Sequence, residues 1–190
     1  MTAVETLCVF CGSSPGTDPA FAAAAERFGT ALADRGIELV YGGASVGLMG
    51  VVADAALAAG GRATGVITES LAGHEIAHGT LSDLHVVSTM HERKALMSDL
   101  ADAFVMLPGG FGTYEEFMES VTWAQLGMHD KPCGILTVSR FYAALLIFVR
   151  HAVAQGFIKS RQVDALVVAD GVDELLDRLL DAAQDQVASR

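Results

Sequence analysis

The sequence predicts a single α/β domain built on one parallel sheet, and three observations carry that prediction. Short, continuously apolar, β-rich runs recur along the chain; helical patterns fall between most of them; no linker, repeat or low-complexity stretch interrupts the alternation. Strands buried on both faces read as unbroken hydrophobic runs, and strands that alternate with helices assemble into a parallel sheet covered on each side. The length of 190 residues fits one domain, 1–190, with a continuous core. The expected architecture is a Rossmann-like, doubly wound sheet of about seven strands.

Taken in order, Leu7–Phe10 is the first strand and runs into Cys11-Gly12-Ser13-Ser14-Pro15-Gly16; an alanine-rich helix follows over Asp18–Arg35. Ile37–Tyr41 is the second strand, leading through YGGASVGLMG at 41–50 into an apolar helix over Leu48–Ala59. Ala63–Ile67 precedes an irregular segment at 68–79. Leu84–Ser88 is followed by STMHERK and a helix from about Met90 to Ala101. Ala103–Leu107 leads through Pro108-Gly109-Gly110-Phe111-Gly112 into an amphipathic helix over Thr113–Leu126. Cys133–Val138 and Ala165–Ala169 complete the strands, with helices over Phe141–Gln155 and Val172–Gln184. In such sheets ligands bind outside the carboxyl ends of the strands, so the segments that follow strands are the ones to read for chemistry.

Composition narrows the partners. Hydrophobic residues are 52% of the chain, charged ones only 18%, and the formal net charge is −11. Much surface must be buried or covered in an oligomer, and an acidic exterior disfavours nucleic acid or an anionic membrane. Any anionic ligand then needs a local basic site. The N-terminus lacks the basic and apolar regions of a signal peptide, and the longest apolar stretch, Phe141–Val149, falls far below the ~20 residues of a membrane span. Three cysteines make no disulfide framework, and Cys8 and Cys11 sit within a strand pattern rather than opening a helix, as core thiols do. A cytoplasmic protein is expected.

The candidate motifs carry different weights. Gly43, Gly47 and Gly50 do not spell a dinucleotide fingerprint, and no P-loop is present; these glycines serve either a ligand or close helix–strand packing. His74-Glu75-Ile76-Ala77-His78 has the zincin spacing, but Gly73 and Gly79 bracket it and deny it the long helix that two ligating histidines need; a surface loop with Glu75 open to a ligand fits better, and no metal is expected. Arg93-Lys94 is the one adjacent basic pair, near the start of a helix where cations oppose the dipole, which points to an anion-binding or catalytic role. Gly109, Gly110 and Gly112 allow bare amides to converge on an anion, with Thr113 as a further donor. Thr113-x-x-Glu116 also has the spacing of a capping box, in which Glu116 only satisfies orphan amides; Glu115, Glu119 and Thr122 then share one helix face.

Met90-His91-Glu92-Arg93-Lys94 followed by Pro108-Gly109-Gly110-Phe111-Gly112-Thr113-Tyr114-Glu115-Glu116 resembles the signature pair of the LOG ("lonely guy") family of cytokinin riboside 5′-monophosphate phosphoribohydrolases, whose older members were labelled lysine decarboxylases. VFCGSSPG, YGGASVGLMG and the TWAQLGMHDKP run at 122–132 extend the resemblance over nearly the whole chain. It implies a Rossmann-like homodimer that hydrolyses the N-glycosidic bond of an adenosine monophosphate, often N6-substituted, without a cofactor. Carried over, Arg93 and Glu116 match the catalytic pair; Glu75, Arg93, Lys94 and the segment Gly109, Gly110, Phe111, Gly112, Thr113, Tyr114, Glu115 match substrate-binding positions, and so does Thr122. Two rivals stand beside it. One is a carrier of the same fold that holds a nucleotide or pterin phosphate without turnover. The other is a pyridoxal phosphate-dependent decarboxylase, for which no separate lysine marks a cofactor site.

Overall fold

A computed structural model describes residues 4–72 and 77–188. Among the described residues seven strands form one sheet: β1 (Thr6–Phe10), β2 (Glu38–Tyr41), β3 (Ala63–Thr68), β4 (Asp83–Val87), β5 (Ala103–Met106), β6 (Cys133–Leu136) and β7 (Leu166–Ala169). Every pairing is parallel, in the order β4-β3-β2-β1-β5-β6-β7. The order reverses between β1 and β5, which is the switch point where the loops after these two strands diverge and leave a crevice.

Helices connect and cover the strands: α1 (Pro19–Asp34), α2 (Gly47–Ala58), α3 (Glu69–Ala72), α4 (Met90–Leu100), α5 (Phe111–Gln125), α6 (Ala143–Ala154), α7 (Ser160–Asp164) and α8 (Val172–Ala188). The strand period of two divides each central strand between two cores. Leu7 and Val9 of β1 pack with Phe28, Val52 and Leu176 beneath α1, α2 and α8. Cys8 and Phe10 face the other side, with Met97, Phe104, Met106 and Phe117 beneath α4 and α5. Each large side chain fully buried in this way contributes about 1.5–3 kcal/mol. At Gly29 of α1 an added Cβ would lie 2.2 Å from the Val52 carbonyl oxygen, so glycine is what allows α1 and α2 to pack so closely.

Element ends differ from the sequence reading in informative ways. The helix expected to begin at Thr113 begins at Phe111, with Gly110 as its N-cap. The sixth strand ends at Leu136, short of the expected Val138, which opens a 3-10 turn, Val138–Arg140, in which Ser139 and Arg140 take positive φ. α3 and α7 are too short to leave a periodic signal. The three cysteines are free and buried, as core thiols; burial pushes Cys133 up to about 12, and Cys8 and Cys11 are raised as well.

Candidate active site

Three loops meet at the carboxyl ends of β1, β2 and β5. The Gly12 amide donates to the Pro108 carbonyl at 3.0 Å, and the Leu48 amide donates to the Gly12 carbonyl at 2.9 Å. The fit is close: a Cβ on Gly47 would come within 2.3 Å of Ser13, and one on Gly109 within 2.9 Å of the Gly12 nitrogen. Gly109 also covers Thr113, whose Oγ1 would be 2.1 Å from that Cβ, and the Thr113 side chain is only 4% exposed. Thr113 is therefore a buried support of the loop and does not display its hydroxyl. Beside these loops lies a cavity of about 240 Å³, bordered by Gly12, Ser13, Leu48, Pro108 and Gly110.

Gly110 and Gly112 differ from Gly109. A Cβ at either would meet nothing within 4 Å, so packing within the chain does not require glycine there. What they leave open is the approach to the N-terminus of α5, which has no side-chain cap. Uncapped amides and the positive end of the helix dipole suit an anion.

α4 and α5 bring the charged residues together. Thr89 caps α4 in a capping box with Glu92, so the negative Glu92 offsets the cations that follow it in the first turns. Arg93 is buried: its Nε donates to the Val66 carbonyl of β3 at 2.8 Å and its Nη1 to Glu116 Oε1 of α5 at 2.6 Å. Glu116 is thus engaged by Arg93 across the site, which corrects the capping-box reading of Thr113 and Glu116. The threonine–glutamate spacing occurs at both places, and only in Thr89–Glu92 does the threonine stand at the N-cap. Burial raises the Glu116 carboxyl above its ordinary value of 4.5, although Arg93 pulls it down.

Lys94 donates to Glu115 Oε1 at 2.6 Å and lies 3.0 Å from Glu119 Oε2. Both members of the basic pair are thus paired with carboxylates of α5. The remaining expected residues spread out. Phe111 is 92% exposed beside Gly110, and Tyr114 stacks edge-on against Tyr142 of the core. Thr122 lies less than two turns beyond Glu116, ~9 Å along the helix, and its hydroxyl bonds back to the Met118 carbonyl; the structure does not bring it to the Arg93–Glu116 pair.

Glu75 and the first histidine of the HEIAH segment lie outside the described residues. Ala77 makes an isolated antiparallel bridge to Ala44, and the His78 ring is 3.1 Å from Asp54 Oδ1. His78 ties its end of the segment to α2. A larger groove of about 640 Å³, lined in part by His129, Lys131 and Arg161, lies at the opposite end of the sheet and holds none of the expected site residues.

Sequence reasoning missed Gly42, where a Cβ would lie 2.3 Å from Arg93 Nη2, the Val66 carbonyl, and Glu119 as a partner of Lys94. Only Glu119 left a signal, its spacing of four from Glu115 on one helix face.

The family described as "Possible lysine decarboxylase" matches residues 49–179. A cytokinin riboside 5′-monophosphate phosphoribohydrolase of Arabidopsis thaliana is 45% identical over 98% of this chain and 88% of its own length. One of Rhodococcoides fascians is 47% identical over 89% of this chain and 86% of its own. Among solved structures, the molybdenum cofactor carrier protein of Chlamydomonas reinhardtii superposes with a TM-score of 0.69 at 19% identity, covering 94% of this chain and 97% of that one. The molybdenum cofactor binding protein of Rippkaea orientalis gives 0.68 at 17% identity, covering 92% and 94%. Likeness at that identity shows the shared fold alone. The decarboxylase description implies pyridoxal phosphate, which needs a lysine amine free to form an imine. Burial alone would lower the Lys94 ammonium, but hydrogen bonds to Glu115 and Glu119 outweigh it and hold the group above its ordinary value. Lys131 and Lys159 lie ahead of β6 and α7, away from the glycine loop. These residues do not fit that cofactor.

Proposed function

The chain belongs to the LOG family of cytokinin riboside 5′-monophosphate phosphoribohydrolases, and from that premise we propose that it hydrolyses the N-glycosidic bond of an adenosine 5′-monophosphate, N6-substituted or plain, to the free base and ribose 5-phosphate. The observation that carries this reading is the buried Arg93–Glu116 pair, 2.6 Å apart, set beside a glycine-lined, uncapped helix start. A carboxylate, a guanidinium and a phosphate cradle within one site are what the reaction requires.

As the bond to the base stretches, positive charge builds on the ribose, and a carboxylate near the anomeric carbon stabilises it and orients or deprotonates the attacking water. Glu116 is assigned that role. The base leaves with the bonding electron pair and takes a proton, for which water is the source, because a guanidinium with a pKa above ~12 is a poor acid. Arg93 stabilises the developing charge and clamps the substrate. The amides of Gly110, Phe111 and Gly112 receive the 5′-phosphate, Glu115 contacts the ribose, and Glu75 is a further substrate contact implied by the family. The reaction so drawn uses no cofactor.

Incubating the protein with AMP and with its N6-prenylated analogue tests the proposal. Free base and ribose 5-phosphate released in equal amounts are expected. Tight nucleotide binding with no release would favour the carrier reading, which the likeness to molybdenum cofactor proteins does not by itself support, since identity there is 17–19%.

A homodimer is part of the proposal. α6 has no buried residue within the single chain, and Ile147, Phe148 and the nearby Phe157 are exposed, which leaves an apolar face for a second copy. A monodisperse, fully active monomer in sedimentation at micromolar concentration would refute it. No helix among the described residues is long and apolar enough to cross a membrane; a cytoplasmic location is proposed, and cell fractionation tests it.

A further inference from the structure

Two cations, Arg93 and Lys94, face three carboxylates, Glu115, Glu116 and Glu119. The surplus negative charge is odd in a site proposed to receive an anionic nucleotide, and it poses the question of what Glu119 does. Arg93 and Glu116 satisfy one another. Lys94 has two partners, and they are unequal: the Glu115 side chain is 55% exposed and Glu119 only 27%, while Lys94 itself is 12% exposed. Glu115 and Glu119 stand four residues apart on α5, so both reach the same ammonium from one helix face.

We infer that Glu119 is a positioning residue: it is the standing counter-ion of Lys94, which leaves Glu115 free to turn toward the ribose hydroxyls of the substrate. An ammonium on a largely covered side chain is disfavoured when stripped of its last partner. With Glu119 in place, Lys94 stays paired when Glu115 leaves it, and the ammonium does not drag Glu115 back. Without Glu119, substrate must compete with Lys94 for Glu115. Glu119 need not touch the substrate, and its effect passes through Lys94 to Glu115.

This rests on the nucleotide-hydrolase reading, and the experiment separates the two. Release of base from AMP or its N6-prenylated analogue by the unaltered protein tests that reading on its own; a protein inactive on both sinks it. In an active protein, Glu119→Gln should raise KM for AMP ~10-fold with kcat within ~2-fold, the pattern of lost ground-state binding. Simple charge removal beside an anionic substrate predicts the opposite sign, a lower KM, so an unchanged or lowered KM overturns the inference. The second arm is a double-mutant cycle with Glu115→Gln. Once position 115 carries no charge to pair with Lys94, the state of Lys94 is alike in free and bound protein, and adding Glu119→Gln should leave KM where Glu115→Gln alone set it. A KM effect of Glu119→Gln that persists in full in the Glu115→Gln background would show a merely structural role and also overturn it. Should Glu119→Gln fail to fold, Glu119→Asp, which keeps the charge but shortens the reach, is read by the same cycle with the same criteria.

Discussion

Gly42 makes the room that the Arg93 guanidinium occupies: a Cβ at position 42 would stand 2.3 Å from Arg93 Nη2 and 3.1 Å from Met49 Sδ. Arg93 reaches Glu116 only because the chain at the end of β2 has no side chain in the way. Gly42→Ala should fold but with a lowered Tm, since the atom it meets is the guanidinium of a buried arginine held by both Val66 and Glu116. It should lower kcat/KM by ~10-fold or more, because displacements of about an ångström in a catalytic group are that costly. Unchanged kinetics with an intact fold would show that the position of Arg93 is not critical.

Removing Arg93 should cost stability as well as activity. Sequence alone places it near a helix start outside the core, where Arg93→Lys would leave folding intact; the structure corrects this, with Arg93 6% exposed and bonded to both Val66 and Glu116. Arg93→Ala removes the guanidinium that bonds the largely buried Glu116 carboxylate and the Val66 carbonyl. Breaking a buried pair in this way costs ~3–5 kcal/mol, equivalent to a fall in Tm of roughly 6–20 °C for a chain of this size. Arg93→Lys should fall between, with the charge kept and the fork lost. Calorimetry showing an unshifted Tm for Arg93→Ala would contradict the structural account.

The loop glycines should separate into two classes. Gly109→Ala is expected to destabilise the fold, because its Cβ would meet Thr113 and Gly12. Gly110→Ala and Gly112→Ala meet nothing within 4 Å, and the second, inside a helix, should gain ~0.5–1 kcal/mol. Both should nonetheless raise KM for the monophosphate ~10-fold by closing the cradle. Wild-type KM in both would remove the phosphate from this loop.

Activity should fall in acid through a carboxyl group that titrates above the ordinary value of 4.5. Burial raises Glu116, and only its ionised form can accept a proton from water, so kcat/KM should rise with pH and level off once Glu116 is ionised. The residual activity of Glu116→Gln, expected to be at least ~10²-fold lower, should lack this limb. A limb that persists in Glu116→Gln would assign the titration to another group.

The adenosine riboside should be a very poor substrate beside its monophosphate. Phosphate binding at the start of α5, away from the bond that breaks, can hold the ribose against Glu116 in the transition state. A grip of ~3–4 kcal/mol, the scale of strong preorganised donors, corresponds to ~10²–10³-fold in kcat/KM. Equal kcat/KM for riboside and monophosphate would rule that grip out.

The parallel sheet and the glycine loops that follow its strands were legible in the sequence, because apolar runs such as Ala103–Met106 and glycine breaks such as Gly109–Gly110 are local signals. The motif resemblance likewise named Arg93 and Glu116 from short stretches. What those residues do to one another was not legible. Thr89-x-x-Glu92 and Thr113-x-x-Glu116 have the same spacing, and both lie close to a helix start. Tertiary packing made the first a cap. It set the second inside α5, with Thr113 buried under Gly109 and Glu116 turned to an arginine 23 residues away. The burial of Arg93, the space left by Gly42 and the sharing of Lys94 between Glu115 and Glu119 have the same origin. Each depends on how α4 and α5 lie side by side on the sheet, a relation between segments distant in sequence that no local periodicity encodes.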